Sequence, residues 1–464
     1  MTNGSTAPSQ PTAPPADNAP SLAQASFVFG GTLVALGVAA GERALVLGGA
    51  AAAFVVLAIT RFEIFVLGAL VIRAALDSSK TGGPLEPTTA LGAAVLVFVL
   101  VREVLDRAAG AGPRPIRAPF RLPLQAFLAA AVLSSLGSAD VAASLTETLR
   151  LAGLVAMVIA LERTLSTPGA VKRVLIAVFA SAVIPIVVAL IQLATGSGRL
   201  IGGFSRISGT FLHPNPFSIY LAMLIVLAVA LLPHVRGPAR VSLLLGGAVA
   251  TVLLLLTYTR GSWIALVVGL VVVGAIQSRT LLVGVIVGCL AVALLVPSVS
   301  ARFSDLETTA RYSGAPANSL VWRVTYWNDV IDLADESPLT GIGLTGIARS
   351  TAEAKNAHND LVRVYVETGV LGLASYLALG WSLVRTARRA LRATATRPGW
   401  RSGTAVGFAG VLAVLGVVSV SSNVITQVVL LWYAVAIAML AVAVTTGFEH
   451  EREALEEVGA RGDL

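Results

Sequence analysis

The chain has 464 residues, 56% of them hydrophobic, with a mean hydropathy of +0.84 and only 12% charged. Soluble domains carry about 25% charged residues, so this composition excludes an ordinary water-soluble enzyme. The net charge of +8 belongs to loops flanking apolar runs, where it reports membrane orientation and not nucleic-acid binding. The lone Cys289 excludes an intrachain disulfide.

Residues 1–20 are rich in Pro, Ala, Ser and Thr and have no Lys or Arg. They read as a disordered tail without the basic start of a cleavable signal. A helix needs roughly 20 apolar residues to cross the hydrocarbon. Fourteen candidate spans follow, at about 22–40, 44–60, 62–77, 88–105, 120–137, 147–163, 172–194, 215–233, 239–257, 261–277, 280–297, 365–386, 403–422 and 426–446. Short neighbours that could form one re-entrant unit set the range at twelve to fourteen. The fold class is all-α, a polytopic helical bundle. Its divisions are a tail over 1–20, transmembrane helices 1–11 over 21–297, a long loop over 298–364, helices 12–14 over 365–446 and a tail over 447–464. No paired Gly/Pro-broken spans are expected.

With the N-terminus inside, the cytoplasmic loops hold eighteen Lys and Arg, the short outer loops five and the 298–364 segment six. The positive-inside rule then puts both termini in the cytoplasm and 298–364 outside the cell membrane. Within that segment, Leu320, Val324, Trp327 and Ile331 repeat at helical spacing, which predicts an amphipathic helix over 318–334. It stops before Pro338, and Gly341 and Gly343 mark a turn.

Three features share the outer face. The first is Arg206-Ile-Ser-Gly209-Thr-Phe-Leu-His213-Pro-Asn215. The second is the tight hairpin Thr257-Tyr-Thr-Arg260. The third is His358-Asn359-Asp360, followed by Glu367-Thr-Gly369-Val-Leu-Gly372. His234 and His450 fall on the cytoplasmic side, which leaves His213 and His358 for an outer site. Imidazole suits acid–base work near neutrality. His213 suits a turn and helix start before Pro214 better than acid–base work, and His358 equally suits a helix cap. A guanidinium matches phosphate oxygens with a forked donor set, so Arg206 and Arg260 could hold a diphosphate. Arg73 and Arg150 fit better as buried ion-pair partners of residues such as Asp77 and Glu147. Asp305 and Glu307 read as a solvated turn. There is no Cys/His ligand set, acidic pair, P-loop, nucleotide fingerprint or nucleophile elbow, so no cofactor is expected.

At these motifs the chain resembles the O-antigen ligase and O-antigen polymerase superfamily of bacterial envelope glycosyltransferases. The matching pieces are Arg206-x-x-Gly209-x-x-x-His213-Pro-Asn215, Thr257-x-Thr259-Arg260-Gly, the loop residues Arg323, Trp327, Pro338, Gly341 and Gly343, and His358-Asn359 before Glu367-x-Gly369-x-x-Gly372. They keep the family's order over about residues 170–445. The resemblance implies the C-type glycosyltransferase architecture and a glycan donor on undecaprenyl diphosphate. It implies a lipid, glycan or protein acceptor, membrane lipids as surroundings, and no metal, nucleotide sugar or nucleic acid. It makes Arg206 and Arg260 the diphosphate-binding arginines and His358 the catalytic histidine. His213, Asn215, Arg323 and Asn359 join the substrate-binding set. The implied step is attack by an acceptor hydroxyl with inversion, His358 taking the proton. Fourteen spans exceed the family's usual ten to twelve. The competing classes are a transporter and a non-catalytic component of an envelope polysaccharide assembly complex.

Overall fold

The computed structural model describes residues 49, 55–79, 86–109, 116–167, 169–201, 203–295, 311–312, 315–316, 319–351, 355–396 and 398–462. The chain forms two compact units, Met1–Phe65 and Val66–Leu464. The expected tail at 1–20, the span at 22–40 and most of 44–60 lie outside the described residues, as do residues 298–310.

Among the described residues the fold is all-α, with two minimal hairpins. Helix α1 covers Phe62–Arg73, α2 Pro87–Ala109, α3 Arg121–Leu136, α4 Val141–Thr164, α5 Ala170–Ala180 and α6 Val183–Thr195. Strands β1 (Arg199–Ile201) and β2 (Phe204–Arg206) pair antiparallel. Then come α7 (Pro214–Leu231), α8 (Gly237–Leu256), α9 (Arg260–Gln277) and α10 (Arg279–Leu295). After the second hairpin, of β3 (Arg311–Tyr312) and β4 (Ala315–Pro316), come α11 (Ser319–Ile331), α12 (Gly346–Ser350), α13 (Asp360–Thr394), α14 (Trp400–Ser421) and α15 (Val428–Gly462). Nine helices among the described residues are long and apolar enough to cross a membrane, with two shorter apolar ones at Arg121–Leu136 and Arg279–Ala291. The chain is a multi-pass membrane protein.

Small residues let the helices approach closely, as lipid-embedded packing requires. A Cβ on Gly153 of α4 would lie 3.1 Å from the Cα of Gly92 on α2, and one on Gly269 of α9 would lie 3.1 Å from the carbonyl oxygen of Gly410 on α14. Helix α7 is buried almost throughout. So is the spanning part of α15, with Trp432, Tyr433 and Leu440 in the core.

The boundaries differ from the sequence expectations in four places. The twelfth span begins at Asp360, not 365, because Asn359 caps it. Helix α15 runs on to Gly462, through the segment expected to be a tail. The span at 172–194 is two helices joined by a turn at Ser181 and Ala182. Helix α13 is also interrupted, by the non-helical backbone of Gly369 (φ 65, ψ −167).

The loop helix α11 lies within the predicted 318–334, and Trp327 of the predicted stripe packs inward, its Nε1 donating to the Ala357 carbonyl (2.6 Å), but the rest of the packed face is shifted. Tyr326, Val330 and Ala334 are buried against Ala357 and Val366, whereas Val324 is 49% and Ile331 39% exposed. The segment carries two apolar stripes at helical spacing. Periodicity cannot choose between them; the partner surface does.

Candidate functional site

One end of the bundle gathers the turns at 206–213, 257–259, 338–345, 355–359 and 422–427. Contacts fix this grouping. The backbone N–H of Ser78 donates to the Thr210 carbonyl (2.7 Å), Ser144 Oγ donates to the Leu344 carbonyl (2.7 Å), and Arg323 Nη1 donates to the Ser421 carbonyl (2.9 Å). The opposite end holds Arg121 paired with Glu162 (2.7 Å), Arg163 with Glu103 and Asp106, and Gln277 Nε2 against His234 Nε2 (2.9 Å).

Arg206 ends β2 and is buried. Its Nε donates to the Thr257 carbonyl (2.6 Å), and its Nη2 donates to Asn215 Oδ1 and to Thr259 Oγ1 (2.8 Å each). These three contacts fix the guanidinium plane against the hairpin that leads into Arg260, the first residue of α9. They also give Asn215, expected to bind substrate, the task of orienting Arg206. The turn behind Arg206 is braced by Gln192 of α6. Its Oε1 accepts from the N–H groups of Ser208 (3.0 Å) and Gly209 (2.9 Å), and its Nε2 donates to the Gly209 carbonyl (3.0 Å). Gly209 sits at φ +56, and a Cβ there would come within 2.6 Å of the Pro185 carbonyl oxygen. His213 caps α7 by accepting the Asn215 N–H on Nδ1 (3.2 Å), in agreement with a turn and helix start.

His358 stands at φ 53, outside the usual range for a residue with a Cβ. Asn423 takes hold of it twice. Asn423 Oδ1 accepts the His358 backbone N–H (2.9 Å), and Asn423 Nδ2 lies 3.2 Å from the ring Nδ1. Asn359, expected in the substrate set, caps α13, its Oδ1 accepting from Leu361 (2.9 Å) and Val362 (3.3 Å). The 422–427 turn is itself pinned: the Ile425 N–H donates to Asp360 Oδ1 (3.1 Å), and Arg363 Nη1 donates to Thr426 Oγ1 (3.3 Å).

The local field is cationic. Burial first, then the charges of Arg323, Arg363, His213 and Lys355, lower His358 from its ordinary 6.5 to about 4. Burial, Arg206 and Arg199 lower His213 as well. Burial also pushes Arg323 below the usual guanidinium range. The His358 imidazole is therefore neutral near pH 7, and the shift at His213 runs the same way. The site brings together Arg206, Arg260, Asn215 and His213 on one side, and Arg323, His358 and Asn359 on the other. The His213 ring contributes to the field at His358.

The remaining motif residues lock the backbone. Where Gly369 interrupts α13, the segment 338–343 lies alongside and satisfies the freed groups. Val370 N–H donates to the Pro338 carbonyl (2.9 Å) and Leu371 N–H to Leu339 (3.3 Å). In return, Ile342 and Gly343 N–H donate to the Val366 and Glu367 carbonyls (3.1 Å each). A Cβ on Gly341 would meet Glu367 backbone at 2.4 Å, and one on Gly369 would meet Leu339 backbone at 2.3 Å. Thus Pro338, Gly341, Gly343 and Gly369 are the two halves of one clamp. Beside it, Arg363 Nε donates to Glu367 Oε2 (2.9 Å) in a buried pair, and Ser134 Oγ donates to the Glu367 carbonyl.

Asn423, Gln192 and Arg363 are not among the residues that the sequence singles out, and Asp360 stands there only within the His358-Asn359-Asp360 run. Asn423 lies in a short polar break, Ser-Ser-Asn, between the last two apolar runs; that break was a usable signal. Arg73 and Arg150 do form buried ion pairs, with Asp77 (3.8 Å) and with Glu86 (2.8 Å) and Glu147. Among the described residues, no group of three or more His, Cys, Asp or Glu side chains could hold a metal ion.

No curated protein matches the chain. Residues 245–377 match the family described as O-Antigen ligase. The matched segment runs from α8 through the Thr257–Arg260 hairpin, the loop helix, His358 and the Gly369 break. The match over residues 245–377 supports the resemblance to the O-antigen ligase and O-antigen polymerase superfamily.

Proposed function

We propose that this protein transfers a glycan from undecaprenyl diphosphate to an acceptor hydroxyl at the end of the bundle that holds Arg206 and His358. The observation that carries this reading is the convergence of Arg206, His213, Arg323 and His358 in one cationic field. A lipid diphosphate is an anion that reaches such a site from within the bilayer. Arg206 is held rigid before any ligand arrives, so its charge needs little reorganisation as negative charge grows on the leaving diphosphate. Arg260 opens α9 beside Thr259, which Arg206 contacts, and forms the second cationic contact. His213, Asn215, Arg323 and Asn359 complete and orient this surface.

The opposite end carries Arg102, Arg107, Arg121, Arg163 and Lys172, and later Arg385, Arg388, Arg389 and Arg392. The positive-inside rule then puts the site on the outer face and the C-terminus in the cytoplasm. The 298–364 segment is the acceptor-facing loop, and the acceptor is a lipid, glycan or protein hydroxyl.

The direct experiment is reconstitution of the full chain in liposomes with an undecaprenyl diphosphate-linked oligosaccharide and candidate acceptors. Glycan should move to an acceptor with release of undecaprenyl diphosphate, without added metal or nucleotide sugar. Absence of transfer to any lipid, glycan or protein acceptor, with Arg206→Ala binding the donor like wild type, refutes the reading.

A further inference from the structure

We propose that His358 acts as a neutral hydrogen-bond donor through Nε2, not as a base, and that Asn423 is the positioning residue that enforces this; the inference rests on the proposed glycosyl transfer at this site. A backbone N–H can only donate, so the Asn423 group facing the His358 N–H at 2.9 Å must be the amide oxygen. That orientation turns the amide nitrogen, itself only a donor, toward the ring Nδ1 at 3.2 Å. Nδ1 must then accept, and the neutral ring carries its proton on Nε2. A base working through Nε2 needs the opposite tautomer, which would aim Nδ1–H at an amide N–H.

Asn423 cannot flip to relieve that conflict, since flipping sets its NH₂ against the backbone N–H. Nor can it swing away, because its turn is held by Asp360 at Ile425 (3.1 Å) and by Arg363 at Thr426 (3.3 Å), while Arg323 holds the Ser421 carbonyl (2.9 Å). The same logic applies independently to His213. Its Nδ1 accepts the Asn215 N–H at 3.2 Å, which also leaves the proton on Nε2. The site thus presents two neutral imidazole donors with Arg206, Arg260 and Arg323. Such a donor set is complementary to diphosphate oxygens.

In the transfer, the acceptor oxygen bonds to the anomeric carbon as the bond from that carbon to the diphosphate oxygen breaks. The electron pair leaves with the diphosphate. His358 Nε2–H donates to the diphosphate and keeps its proton. The hydroxyl proton passes to solvent water and from there to the departing diphosphate, the base that the step itself generates. Nothing is oxidised or reduced.

Two measurements test the proposal. The chain has four histidines, so ¹⁵N-histidine NMR of the full protein in nanodiscs, assigned with His358→Gln, reads the resting tautomer without substrate. The second measurement is the transfer rate of Asn423→Asp from an undecaprenyl diphosphate-linked oligosaccharide, at matched thermal stability. An aspartate accepts from Nδ1–H and frees the Nε2 lone pair, converting His358 into a base. We expect an Nε2–H tautomer in the wild type and a loss of about 10²-fold in Asn423→Asp, the scale of one preorganised donor. In a parallel pair, His358→Gln, which keeps an N–H donor, should exceed His358→Glu, which keeps only a base. An Nδ1–H tautomer, an Asn423→Asp rate equal to or above wild type, or His358→Glu exceeding His358→Gln overturns the proposal. Failure of the wild type to transfer glycan at all would instead remove the functional reading and leave the tautomer result standing.

Discussion

Asn423 and His358 lie 65 positions apart in sequence, yet one amide holds both the backbone N–H (2.9 Å) and the ring Nδ1 (3.2 Å) of the histidine. The turn after α14 therefore sets the geometry of the residue that precedes the Asn359 cap of α13. The His358 site depends on the docking of the last two helices as much as on the loop that precedes it.

Arg206 should tolerate no cationic substitute. Arg206→Lys loses the fork that spans Thr257, Asn215 and Thr259, and an ammonium cannot restore a planar donor set. The transfer rate should fall by about 10²–10³-fold, with normal membrane insertion. Arg260→Ala and Arg260→Lys should behave alike. Full activity in Arg206→Lys, measured by glycan transfer in liposomes, would make it a simple positive anchor.

The glycine clamp should be a stability determinant. Gly369→Ala places a Cβ at 2.3 Å from Leu339 backbone at a positive φ. The conformational cost alone is about 1–3 kcal/mol, and the overlap adds to it. Gly380→Ala, on the same helix with nothing within 4 Å of a new Cβ, should be neutral or slightly stabilising. Thermal unfolding in detergent should lower the midpoint of the first variant and spare the second.

Breaking the Arg363–Glu367 pair from one side should cost about 3–5 kcal/mol, because the partner charge stays buried. Arg363→Met with Glu367→Leu should cost less than the sum of the single changes. A double-mutant cycle on unfolding free energy measures this; strict additivity would mean the pair is not coupled.

Acid should destabilise the fold through His358. Its folded value of about 4 lies below the ordinary 6.5, so the unfolded chain binds the proton more readily. Stability then rises with pH from about 4 to 6.5 and is flat above. His213 adds in the same direction. The unfolding midpoint followed across this range should show a shallower slope in His358→Gln than in the wild type.

Topology can be read with single cysteines on a Cys289→Ser background. A cysteine at 312 should react with an impermeant maleimide from outside intact cells, and one at 110 or 394 should not. Outside labelling at 394 without labelling at 312 would invert the protein and remove the proposed site from the outer face.

The sequence by itself determined the class of protein and the order of its parts. Apolar runs of sufficient length must become helices in lipid, because every backbone group has to be satisfied locally. Hence the spans from 62–77 to 280–297 and the last three all find helices. Arg206, His213, Arg260 and His358 were legible because charge and imidazole stand out in an apolar chain. What the tertiary structure decided is which partners the motif residues meet. Asn215 and Asn359 became an arginine holder and a helix cap, Gly341 and Gly369 became a clamp, and Tyr326 and Val330 displaced the predicted Val324 and Ile331 face. The clamp and the hold on His358 depend on which donor meets which acceptor across 24 to 65 residues of chain, while Asn215 reaches Arg206 across nine. Hydrogen bonds are directional and short-ranged. Periodicity records only that a side chain is apolar, and a motif only that it recurs, so neither can name the partner.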